Sequence, residues 1–208
     1  MKIFLYFLVF LISTSVYSDE LKGLFGFKLM DKYPNIKLIN FLDIQSASSV
    51  EELDEINRYA GGMIYYSADR GSGIIVEVTP IINNDDFDKY FLRISPISGR
   101  IARIQAEGKN ISETRCKELK YLYSEHFKDK YGKKYTVSYR KKNENMKADI
   151  IEISSNYISY NIWLQCKPKL MISIYSSETF KLISDETFNI MNDLIKKKSE
   201  IRKNEKLS

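Results

Sequence analysis

A chain of 208 residues that is 44% hydrophobic has the length and apolar content of one packed core. Its 32 basic and 27 acidic residues are unevenly placed: 196–208 hold six basic and two acidic, Lys2 is the only charge in 1–18, and 19–195 are left with 25 of each sign. A body with no net charge argues against a nucleic-acid partner, and one histidine with two cysteines argues against a zinc site or other cofactor centre.

The chain opens with Met1-Lys2, ten apolar residues from Ile3 to Ile12, and a small-residue exit ending at Val16-Tyr17-Ser18. That is the layout of a secretory signal peptide, with cleavage after Ser18. Ten apolar residues are about half of the ~20 needed to span a bilayer. No later stretch is long and apolar enough to span either, so no transmembrane segment is expected after cleavage. The mature protein is therefore expected to be exported, to a periplasm or to the extracellular space.

Residues 19–47 carry few periodic signals. Gly23-Leu24-Phe25-Gly26-Phe27 suits a tight turn or an edge strand, and lacks the Lys-Ser or Lys-Thr of a phosphate-binding loop. Ser49 and Glu52 have capping-box spacing, and Val50, Leu53 and Ile56 predict a helix to about Tyr59, ended by Gly61-Gly62. Strands are predicted at Met63–Tyr66, Ile74–Thr79, Tyr90–Ser95 and Arg100–Ala106. The last two are joined by Pro96-Ile97-Ser98-Gly99, a hairpin signal.

A helix is predicted from an Asn110 cap to Gly132. Cys116, Leu119, Tyr123, Phe127 and Tyr131 form one apolar stripe, and Gly132 suits the left-handed residue that ends many helices. Strands follow around Tyr135–Tyr139, Ile151–Ile153, Tyr157–Cys166 and Leu170–Ile174. In the strand ending at Cys166, Ile158, Tyr160, Ile162 and Leu164 share a face with Cys166. The last helix starts near Ser177, with Phe180, Ile183, Met191, Leu194 and Ile195 on its stripe and a break near Ser184-Asp185. Beyond it, 196–208 reads as a basic, frayed tail.

Short connections between successive strands predict antiparallel neighbours. The fold class is α+β: about six to seven antiparallel strands in a single domain over 19–195, with two main helices on one face. Cys116 on a buried helix stripe and Cys166 on a buried strand face would enter the same layer. In an oxidising compartment such a pair persists as a disulfide.

No constellation of catalytic residues is legible. His126 is the only histidine, no GxSxG turn presents a serine, and no carboxylate pair is marked by spacing. Basic and aromatic residues interleave from Lys133 to Lys142, as expected of a solvated edge strand. If helices cover one sheet face, the other displays Tyr157, Trp163, Met171 and Tyr175 among Ser159, Asn161, Gln165 and Ser173. This mixture resembles a contact surface, so Tyr157, Trp163 and Tyr175 are the candidate binding residues. The expectation is a non-catalytic exported protein that binds a protein or a cell-envelope component. The alternatives are an exported hydrolase with an unrecognised site, or an inhibitor or accessory subunit.

Overall fold

The computed structural model describes residues 23–205 except 35, 60–72, 134, 142–148, 156–158 and 167–168. The expected leader over 1–18, the strand expected at Met63–Tyr66, the candidate Tyr157 and the side chain of Cys166 lie outside the described residues. The predicted Cys116–Cys166 bond therefore does too.

Seven described strands form one antiparallel sheet in the order β3-β4-β5-β9-β8-β7-β6. They are β3 (Ile74–Val78), β4 (Lys89–Ile94), β5 (Ile101–Asn110), β6 (Thr136–Arg140), β7 (Asp149–Ser154), β8 (Ser159–Cys166) and β9 (Lys169–Ser176). Two meanders, β3–β5 and β6–β9, meet along a β5–β9 seam, and each is followed by a helix. The α+β expectation holds.

Alternation of side chains sorts the sheet into two unlike faces. One is aliphatic. Across adjacent strands, Leu92 faces Ile104, Ile104 faces Ile174, Ile174 faces Ile162, and Ile162 faces Ile151. All five are buried in one hydrophobic cluster. The helix α3 (Glu113–Tyr131) covers this face with Cys116, Leu119, Phe127 and Tyr131 buried and Tyr123 half-buried, the stripe that the sequence predicts.

Its ends differ from the sequence reading. Asn110 is not the cap, because β5 runs on to it and pairs it with Lys169. Ser112 takes the cap position and accepts the Arg115 N–H at 3.2 Å. Gly132 is right-handed, φ −62°, and its N–H donates to the Lys128 carbonyl, so no left-handed residue is needed there.

The N-terminal segment lies on the same aliphatic layer. A two-stranded hairpin, β1 (Gly23–Leu24) and β2 (Phe27–Lys28), turns through Phe25 and Gly26, both at positive φ. The Phe25 ring then packs edge-on against Phe87 and Tyr90. A Cβ at Gly26 would sit 2.4 Å from Ile81, so glycine is required on both counts. GLFGFK is thus a structural turn.

Two short helices follow. In α1 (Phe41–Ser46) the Asn40 side chain accepts the Leu42 N–H. In α2 (Val50–Tyr59) Ser49 accepts the Glu52 N–H, while the Glu52 carboxylate reaches back to Ser48 rather than to Ser49.

The last helix corrects three expectations. It runs unbroken from Ser177 to Glu205 as α4, with no interruption at Ser184-Asp185. It does not join α3 on the aliphatic face. It runs from the end of β9 past the same end of β5 and the β4–β5 turn, and it packs on α1 and α2. A second, smaller cluster results, built from Ile39, Ile44, Ala47, Leu53, Ile190, Leu194 and Ile201. The tail from 196 is also not frayed through its described part. Ile201 is buried in that cluster, and Lys198 pairs with Asp54 at 2.5 Å, holding that carboxyl below its usual range through the hydrogen bond. The apolar spacing that the sequence carries to Ile195 continues through one isolated isoleucine, Ile201, which is buried where α1 and α2 dock.

Truncation after Lys198 should accordingly lower the thermal midpoint by about 5 °C. This follows from roughly 1.5 kcal/mol for burying one isoleucine and a few degrees per kcal/mol at this chain length. A midpoint within a degree of the parent would show that the tail contributes nothing.

Candidate functional site

The second sheet face contributes nothing to either hydrophobic cluster; Phe91, Trp163, Met171 and Tyr175 belong to neither. Register places its residues in rows. Glu77, Phe91, Gln105, Ser173, Trp163, Ile150 and Arg140 follow one another across all seven strands. The neighbouring row carries Ile75, Arg93 and Arg103 on β3–β5 and Tyr175 and Asn161 on β9–β8. Ile75 is 55% exposed, a bare aliphatic side chain on the rim of this face.

The two candidate residues that are described come together here. Trp163 and Tyr175 are half-buried, with ring centroids 5.9 Å apart and planes at 69°. The Trp163 Nε1–H donates to the Tyr175 hydroxyl at 3.1 Å. Phe180, from the first turn of α4, tilts against Tyr175 on the other side.

Between the strands, the Arg103 guanidinium stacks on both rings, its Cζ 5.4 Å from the Trp163 centroid and 5.8 Å from that of Tyr175. Its Nη2 donates to the Ser173 hydroxyl at 2.7 Å, and its Nε is buried with no acceptor. Burial, and secondarily the adjacent Arg93 charge, pull the Arg103 pKa down to about 10, with Tyr175 acting the other way. It is still a cation at neutral pH. Arg93 stands directly opposite on β4, and its pKa is lowered by burial as well.

Like charges directly opposite on neighbouring strands are destabilising, and half-buried cations ordinarily have carboxylate partners. Arg103 has neither relief: its described partners are a hydroxyl and two aromatic faces. The arrangement is one cation held rigidly by aromatic walls, beside a second cation, on a face with exposed apolar edges. Such an arrangement suits an anionic or polar surface.

The sequence reading missed both arginines. The alternation of Arg93 with Leu92 and Ile94 was visible, but it marked a solvent-side residue no different from any other surface arginine.

A second concavity, of about 700 Å³, lies between α3 and the β6–β7 edge, lined among others by Lys117, Lys120, Tyr121, Lys128, Tyr139 and Lys141. Part of the interleaved basic and aromatic segment therefore faces a groove. At its base the buried Asp149 carboxylate is ion-paired with Lys120. The Tyr139 hydroxyl also bonds to Asp149, and burial, then that carboxylate, raises its pKa. Of the two described carboxylates that line this groove, Asp149 is held by a cation and a phenol, and Glu125 stands on the α3 wall. His126 is exposed, its ring edge-on to Phe127. Among the described residues no group of three or more His, Cys, Asp or Glu side chains could hold a metal ion, and no described helix is long and apolar enough to cross a membrane.

No protein-family model, curated protein or solved structure matches this chain.

Proposed function

We propose that this is an exported, non-catalytic binding protein, periplasmic or secreted, whose open sheet face around Arg103, Trp163 and Tyr175 engages a protein or a component of the cell envelope. The observation that carries the reading is the Arg103–Trp163–Tyr175 stack itself. Rigid aromatic and arginine side chains are the residue types that dominate binding energy at interfaces. Here they sit on a face that neither hydrophobic cluster uses. Export rests on the 1–18 segment of the sequence.

The same reading includes a Cys116–Cys166 disulfide joining α3 to β8. It is supported by the burial of Cys116 over the layer into which β8 points its even-numbered residues, and by the absence of a free thiol among the described residues.

One preparation tests these parts together. Protein recovered from the native compartment should begin at Asp19 by mass spectrometry and show no reactive thiol when unfolded without reductant. It should also carry a partner that the double variant Trp163→Ala/Tyr175→Ala retains at less than a tenth of the wild-type level. Loss of one central aromatic anchor typically costs ~2 kcal/mol or more, about 30-fold. Equal retention of the partner by a folded double variant would remove this face as the binding surface. Two reactive thiols would remove the bond.

A further inference from the structure

We propose that Arg103 is the seat of an oxyanion: a carboxylate or phosphoryl group on whatever this face binds. This inference rests on the binding reading above and specifies the ligand chemistry of the same face.

Three observations converge on Arg103. Its guanidinium is fixed, because Trp163 and Tyr175 flank it and Ser173 holds Nη2. Rotamer entropy that a surface arginine would lose on binding has therefore already been spent in folding. Among the described residues its partners are a hydroxyl and two aromatic faces and include no carboxylate, and its Nε is buried without an acceptor. The carboxylate four positions along its own strand, Glu107, is engaged by the Gln105 amide. Finally, Arg93 is directly opposite, which places a second guanidinium-bearing residue beside it.

A planar fork of donors beside a second guanidinium is the arrangement that takes an oxyanion through two charge-assisted hydrogen bonds. An incoming anion would offset the mutual repulsion of Arg93 and Arg103. The flanking indole and phenol would meet whatever apolar stem carries the anion. Ser173 is the positioning residue, through its bond to Nη2, and need not touch the ligand.

Trp163 is the only tryptophan in the chain and lies against the proposed seat, so its emission is a direct reporter. The purified full chain is titrated with inorganic phosphate and, separately, with benzoate, at ionic strength held constant with chloride. A saturable change in Trp163 emission is expected with at least one of them. Saturation by phosphate alone assigns a phosphoryl group, and saturation by benzoate alone assigns a carboxylate on an apolar stem.

Arg103→Gln should abolish the saturable change. Arg103→Lys keeps the charge but not the fork, and should weaken the response tenfold or more; it serves if the glutamine variant does not fold. No saturable response to either anion in the wild type, or the same midpoint in the lysine or glutamine variant, would overturn the proposal. Partner retention that depends on Trp163 and Tyr175 but not on Arg103 would sink the oxyanion seat and leave the binding reading standing.

Discussion

Replacing Glu186 by alanine should lower the unfolding free energy by about 3 kcal/mol, the sum of charge-assisted hydrogen bonds lost and donors left buried without partners. Glu186 lies nine residues into α4 and is buried, an unusual place for a carboxylate. It is there because the β4–β5 turn offers it three donors. The Ser95 hydroxyl donates to Oε2, as do the Ile97 N–H at 2.8 Å and the Ser98 N–H at 3.1 Å.

The turn closes through Gly99, at φ +69°, with its N–H on the Ser95 carbonyl. The turn's remaining N–H groups point outward from the sheet end, and the carboxylate collects them. One side chain thus ties the long helix to the hairpin between β4 and β5. Without it, two backbone donors and a hydroxyl would have to find water beneath a packed helix. Glu186→Gln keeps one acceptor oxygen and should lose roughly half as much. Urea unfolding measures both. A loss below about 1 kcal/mol for the alanine variant would show that water replaces the carboxylate at little cost.

Lys120→Ala should cost about 3 kcal/mol, because it removes the counter-charge of a buried carboxylate. Asp149 is almost fully enclosed at the base of the α3–β7 groove, whereas Lys120 is about one-fifth exposed. Solvent at the lysine end places the loss at the low end of the range for broken buried pairs. The informative comparison is the double variant. Lys120→Met with Asp149→Leu removes both charges and keeps the volume, and should recover most of the loss. If the double variant is as unstable as the single one, Asp149 is needed for the hydrogen bond from Tyr139 and for its other contacts rather than as the partner of Lys120. Denaturant midpoints of the four proteins decide between the two.

Much of this architecture could be read before any coordinates, for reasons tied to particular residues. The α3 stripe is periodic at 3.6 residues because its burial is one-sided, so Cys116, Leu119, Phe127 and Tyr131 announced themselves. The β8 alternation did the same, since one of its faces is packed by α3 and the other is not. The Ser49 cap of α2 was legible because it is local chemistry, although the Glu52 carboxylate turned to Ser48 instead of closing the box. By contrast, the length of α4 was not legible. Its stripe alternates between partners: the sheet end at Ile183, the hairpin at Glu186, and two short helices at Ile190, Leu194 and Ile201. The break expected near Ser184-Asp185 falls where the stripe passes from one partner to the next, beside the buried Glu186, and that change of partner is visible only in the folded chain.

By itself, the sequence determined which side chains alternate, where the chain turns, and that one sheet face is aliphatic and the other polar and aromatic. Trp163 and Tyr175 were already assigned to a common face on that basis, by periodicity alone. Tertiary structure decided where Arg103 goes. Counting back from the Pro96–Gly99 turn, Ile94 pairs with Ile101, and regular pairing would set Arg93 opposite Ala102 and turn Arg103 into the aliphatic core. Instead the register shifts by one residue, and Arg93 faces Arg103. Ile101 and Ala102 are both buried, so the extra residue is absorbed as a bulge that keeps two consecutive apolar side chains out of water. That one-residue slip, made by packing at the sheet end and invisible to any local pattern, carries Arg103 onto the open face between Trp163 and Tyr175.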